Sequence, residues 1–201
     1  MPEIPEFPEL QFEPKKHIYK LNGLIVPSVT TLMNPLSREY YGGIDEKTLH
    51  NAAMRGDSVH SAIESYTLYG IKDIETENEG YLEAAIRWMK DYNVEPHSSE
   101  ARIYHKFLNY AGTLDLSCLE NGVSTLVDFK TTASFSPMLT GVQLEAYRKA
   151  LESHGIHHDR KLIIQLKKDG TYIRRDLFPP EIECWKTFNA LITVSNYMKQ
   201  Y

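Results

Sequence analysis

Asp115, Asp128 and Lys130 are the residues whose types and spacing could do chemistry. They lie in AGTLDLSCLENGVSTLVDFKTT, Ala111 to Thr132, which reads as two strands joined by a turn bearing Gly122. Alternate side chains of a strand share a face, so Asp128 and Lys130 point the same way across Phe129. Asp115 stands thirteen residues before Asp128, across the hairpin. Mg²⁺ and Mn²⁺ favour hard oxygen ligands, usually one or two carboxylates with water and phosphate oxygens. Asp115 and Asp128 can supply the carboxylates and the Phe129 carbonyl a further oxygen. Lys130 can orient an attacking water and neutralise charge developing on a phosphate. The chemistry that suits this set is metal-assisted hydrolysis of an anionic substrate.

An acid-x-Lys triplet alone carries little, because the chain has four, beginning at Glu13, Asp45, Asp128 and Asp159. The Asp128 triplet differs in ending a β-branched apolar run and in having an acid on the neighbouring strand. Taken singly, each of these residues reads equally well as a turn, strand-edge or cross-strand surface residue. Helical spacing adds to the set. Gln143 and Tyr147, four apart in TGVQLEAYRKAL, share a helix face and could contact substrate or buttress the lysine. His60 and Glu64 share a face in RGDSVHSAIESY, which makes His60 a candidate metal ligand and Glu64 a further acid. His154, His157 and His158 in ESHGIHHDRK suit no helical ligand pair and read as a polar loop.

The elements that must position these residues follow from periodicity and breakers. Residues 1–15, with four prolines and four glutamates, read as a loose, flexible arm. His17 to Val26 reads as a hairpin turning at Asn22-Gly23, and Ser28 as the cap of a short helix that stops before Pro35. Helices are expected from about Glu46 to Leu68 and from Asn78 to Tyr92. Three antiparallel strands follow: Glu100–Phe107, Gly112–Leu119 and Ser124–Lys130. A helix from Met138 to His154, a hairpin of Lys161–Leu166 with Tyr172–Leu177, and a final helix after Pro179-Pro180 complete the chain. The order predicts one α/β (α+β) domain over residues 16–201, built around one sheet flanked by helices.

Composition bounds the function. The chain has 201 residues, enough for one domain, with 42% hydrophobic and 24% charged residues as in ordinary globular proteins. No apolar run approaches a membrane span and the first residues are unlike a signal peptide, so a cytoplasmic location is expected, with no membrane partner. Two cysteines, Cys118 and Cys184, cannot hold a four-cysteine cluster. Net charge is -5, which weighs mildly against nucleic acid as a partner. Basic pairs do occur at Arg160-Lys161, Lys167-Lys168 and Arg174-Arg175, and surface solvation is the simplest account of them.

GTLD, VDFKTT and QLEAYRKAL, preceded by the RGDSVHSAIE helix, together resemble the PD-(D/E)XK nuclease superfamily. Within it the likeness is to the RecB/Cas4-like branch and to phage-type exonucleases, over about Arg55 to Leu151. The opening HIYKLNGLIVPSVTTLM is also similar to the start of phage-encoded members. The resemblance implies a restriction-endonuclease-like mixed sheet flanked by helices. It also implies metal binding by His60, Asp115 and Asp128, a catalytic Lys130, and Gln143 with Tyr147 as the motif of the following helix. Glu100 sits where many members carry another acid. The family often has Glu at the position of Asp128, and the shorter side chain could alter metal preference.

The cofactor implied is Mg²⁺ or Mn²⁺. Two cysteines rule out the iron–sulfur cluster of some relatives, and no nucleotide-binding loop points to a tethered helicase. The nearest analogue is therefore a free-standing phage-type exonuclease acting on DNA ends in recombination and repair. Such enzymes often form rings, so a homo-oligomer is an implied option, although the residues themselves show none; the acidic arm could dock a recombination partner, but no role for it is the favoured reading. The alternatives are a structure-specific endonuclease or a non-catalytic DNA- or protein-binding module on the same fold.

Overall fold

The computed structural model describes residues 3–198. Two sheets organise them. The smaller is antiparallel, in the order β1 (Leu10–Glu13), β2 (Ile18–Leu21), β3 (Leu24–Val26). Asn22 and Gly23 both take positive φ at the β2–β3 turn, as an Asn-Gly hairpin requires. The larger sheet has five strands in sequence order: β4 (Val94–Tyr104), β5 (Ala111–Glu120), β6 (Val123–Lys130), β7 (Arg160–Leu166) and β8 (Tyr172–Arg175). Its pairs are antiparallel except β6 with β7, which is parallel. A parallel pair needs a crossover, and α4 (Pro137–Glu152) supplies it. The remaining helices are α1 (Val29–Tyr41), α2 (Glu46–Tyr69), α3 (Glu79–Asp91) and α5 (Glu181–Met198). The result is a mixed five-stranded sheet flanked by helices.

Alternation along the strands divides the core. Leu126 and Ile163 pack with residues of α1, α4 and α5, whereas Val127, Phe129, Leu162 and Ile164 pack with residues of α2 and α3. β5 breaks the rule. Leu114 belongs to the first cluster and Leu116 to the second, although residues two apart should share a face. The strand therefore turns about its own axis at Asp115. Opposite, the register of Ser99 with Leu116 and Ala101 with Leu114 places Glu100 across from Asp115. Glu100 has φ 48°, in the left-handed region. The β5–β6 ladder also ends at Leu116–Val127, one residue before Asp115 and Asp128 would pair. The sheet opens where the candidate residues lie.

Four features depart from the sequence reading. Pro35 does not end α1 but sits inside it. A proline there forfeits one helical hydrogen bond, while Ser28 caps the helix by accepting from the Thr31 N–H and Leu32 and Met33 bury its inner face. β4 begins at Val94, earlier than expected, because a polar edge strand carrying Pro96 has no apolar alternation to announce it. Residues 10–13 add a strand, and with it a second sheet. Upstream of it, buried Ile4 donates its N–H to Ser98 Oγ at 2.9 Å, and Phe7 packs its ring against Tyr104. Within the proline-rich stretch, Ile4, Phe7 and Leu10 turn inward. Among the described residues no helix is long and apolar enough to cross a membrane.

Candidate active site

His60 is delivered by α2, which Asp45 caps by accepting from the Thr48 N–H and which Gly70 ends in the left-handed conformation. Val59, Ala62 and Ile63 bury the inner face of that helix. The adjacent His60 therefore sits at the edge facing β6, where its ring meets Phe129 edge-on. Its Nε2 donates to the Phe129 carbonyl at 3.2 Å. Its Nδ1 lies 3.4 Å from Glu100 Oε1 and 3.6 Å from Asp115 Oδ1. One ligand atom from each of His60, Glu100 and Asp115 lies within 4.8 Å of the other two. Asp115 also uses Oδ2 to accept the Phe129 N–H at 2.7 Å, which ties β5 to β6 beyond the end of their ladder.

Asp128 and Lys130 stand beside this group on the same face of β6. Lys130 Nζ donates to Asp128 Oδ1 at 3.0 Å. Asp128 Oδ2 is 2.7 Å from the same nitrogen but poorly aligned, and it is buried with no hydrogen-bond partner. The sequence set is thus brought together in part. His60, Asp115 and the Phe129 carbonyl converge, and Glu100 completes the tight group, with Asp128 held next to it by the lysine. Glu64 is outside the tight group, half-buried in a groove that it shares with Glu100 and the N-terminal segment.

The electrostatics show crowding of negative charge. Burial raises the Asp115 carboxyl above its usual value, and Glu100 adds to this against His60 and Lys130. Burial likewise raises Asp128 to about 6, with repulsion from Asp115 outweighing part of the help from Lys130. Burial alone would lower His60, but Asp115, Glu100 and Asp128 overcome it and hold the imidazole at about 9. Burial also works against the Lys130 cation, yet Asp128 and Asp115 prevail and raise its pKa, so it stays charged. A divalent cation fits here. It would replace the His60 proton as the compensating charge, and Asp128 Oδ2, buried and facing only the Lys130 ammonium, has acceptor capacity left for it.

Gln143 and Tyr147 sit on α4, and Gln143 Nε2 donates to the Tyr147 hydroxyl at 3.3 Å. The Tyr147 ring lies so close beneath β5 that a Cβ at Gly112 would stand 2.6 Å from its Cε1. Gly112 was not singled out from sequence, although a glycine inside a strand signals close approach. The histidines of ESHGIHHDRK form no cluster. His154 accepts ring contacts from Phe7 and Tyr104, and His158 Nε2 is 2.8 Å from Ser117 Oγ in the interior.

Comparison with known proteins adds a distant likeness. The chain is similar to the crystal structure of an alkaline exonuclease (LHK-Exo) from Laribacter hongkongensis. Identity is 13%, over 72% of this chain and 83% of that one, with a TM-score of 0.34. No family model and no curated protein matches the chain. At that depth the likeness assigns no residue a role. The site's own geometry is a cluster of one imidazole and two carboxylates, close enough together to share a metal ion and flanked by an Asp–Lys pair.

Proposed function

We propose that this protein is a metal-dependent nuclease that hydrolyses phosphodiester bonds in DNA. The observation that carries this is the convergence of His60, Glu100 and Asp115 beside the buried Asp128–Lys130 pair. His60, Asp115 and Asp128, with Glu100, would hold Mg²⁺ or Mn²⁺; with Nδ1 of His60 on the ion, its Nε2–H would still donate to the Phe129 carbonyl, which orients the ring. The bound ion would supply Lewis acidity and an activated water.

The chain's own groups do the rest. Lys130, kept cationic by Asp128, donates to the attacking water or to the phosphate and offsets the charge that builds there. Asp115 fixes the Phe129 N–H and so holds the β6 end that carries both Asp128 and Lys130. Gln143 and Tyr147 buttress β5 from below and offer polar atoms toward the site.

The finer reading is an exonuclease that processes DNA ends in phage-type recombination. Its test is cleavage of end-labelled linear and closed-circular DNA with Mg²⁺, Mn²⁺ or EDTA. Metal-dependent loss of the linear form alone is the expected result. Cutting of the circle would replace the exonuclease by an endonuclease, and cutting of neither would remove the nuclease reading.

A further inference from the structure

A second feature lies just past the carboxyl ends of β6 and β7. The chain carries a net charge of -5, yet a groove of about 550 Å³ there is lined by Arg55, Lys167, Lys168 and Arg175 and by no carboxylate. The groove includes Thr131 and Thr132, which directly follow Lys130 in the chain, so it lies at the end of β6 that carries the candidate active site.

The three basic pairs of the sequence divide here. Arg160, Lys161 and Arg174 turn to buried acids, Glu120 and Glu145, and are spent on holding the fold. Lys167, Lys168 and Arg175 are exposed, and together with Arg55 they make no ion pair among the described residues. Alternation along β8 is the cause, since Arg174 and Arg175 must face opposite ways.

The groove is built rather than incidental. Arg55 lies over the Tyr81 ring at 5.7 Å and donates from Nε to Thr131 Oγ1 at 3.3 Å. Arg175 lies over the Phe135 ring at 5.7 Å and donates to Gln165 Oε1 at 3.3 Å. Gln165 in turn donates to the carbonyls of Thr132 and Ala133, both at 2.9 Å, which fixes the floor. On the far side α3 comes so near that a Cβ at Gly80 would overlap the Lys168 carbonyl, 1.8 Å away, so the Lys167–Lys168 turn is pinned. Arg55 and Lys168 also border a neighbouring groove that carries Glu75 and Glu77.

We propose that this groove seats the phosphodiester backbone of a nucleic-acid strand as it leaves the metal site. The proposal rests on the nuclease reading and extends it. Guanidinium groups laid on aromatic faces are held in fixed planes that suit phosphate oxygens. Each guanidinium occupies one face of its ring, and the groove's cations recognise the backbone rather than the base edges. Binding is therefore insensitive to sequence and strongly dependent on salt.

The test uses a short fluorescein-labelled single-stranded oligodeoxynucleotide of mixed sequence, titrated by fluorescence anisotropy with EDTA and again with Ca²⁺, over a range of salt. Wild type is compared with Lys167→Ala/Arg175→Ala and with Arg87→Ala/Lys90→Ala, exposed cations of α3 outside the groove. All are checked by thermal melting and assayed for cleavage with Mn²⁺. The groove pair is expected to weaken binding at least about tenfold and to reduce the salt slope by about one to one and a half. The α3 pair should stay within about twofold of wild type, the limit a screened surface charge allows. Equal binding by the wild type and the groove variant, or no binding by wild type under either condition, overturns the proposal. Cleavage with unchanged groove variants would remove the groove and leave the nuclease; groove-dependent binding without any cleavage would do the reverse.

Discussion

Asp115 joins two tasks. One of its oxygens holds the end of β6 through the Phe129 N–H, and the other faces His60. Glu100, across from it, keeps a left-handed backbone that a glutamate adopts only at a cost of about 1–2 kcal/mol. Strain of this kind persists where surrounding structure imposes it, often at functional sites. Glu100→Gly should therefore be about 1 kcal/mol more stable than Glu100→Ala in urea unfolding, since glycine carries no penalty there. Both variants should bind Mn²⁺ more weakly than wild type by titration. Equal stability of the two would show that the left-handed conformation is not a strain on the native fold.

At the scale of elements, the close approach of α4 to β5 decides where Tyr147 lies. Gly112→Ala would put a methyl into the buried Tyr147 ring. It is expected to cost about 1–3 kcal/mol by overpacking and to lower cleavage along with it, both readable from melts and rates of one preparation. The elements were largely legible because their signals are local: Asn-Gly for the β2–β3 turn, apolar spacing for α3, a β-branched run for β6. Pro35 misled because the loss of one hydrogen bond is small beside the burial of Val29, Leu32 and Met33. β1 and the start of β4 were hidden because short or polar edge strands owe their existence to a partner strand, which no local pattern records. Of the site, His60, Asp115, Asp128 and Lys130 could be read from type and spacing. The entry of Glu100 into the tight group, and the exclusion of Glu64 from it, depend on the left-handed turn at residue 100 and on which way α2 faces.

At the scale of the whole molecule, the basic groove shows that net charge is a poor guide when cations are sorted by fold into paired and unpaired sets. Stability should respond to pH through His158, which burial pushes down from 6.5 to about 4. The folded state thus binds fewer protons than the unfolded chain between those values. Stability from the neutral ring is full above pH 6.5 and is lost as pH falls toward 4. Wild type should lose about 2 kcal/mol more than His158→Gln between pH 7 and pH 5, measured by urea unfolding. Asp115 and Asp128 act in the opposite sense, since their folded values are raised, and the comparison of the two proteins cancels them. Equal losses would mean that His158 is as solvated in the native state as in the unfolded one.

The central claim is that the acids and lysine at the opening of the sheet form a phosphodiester-hydrolysing centre. It is tested most directly by the rate at which linear DNA is degraded with Mn²⁺ by wild type, Asp115→Asn and Lys130→Ala, purified in parallel and matched for folding. The expected result is activity in the wild type that EDTA abolishes, reduced at least about a hundredfold in each variant. Equal rates in all three proteins, or none in any, would contradict it.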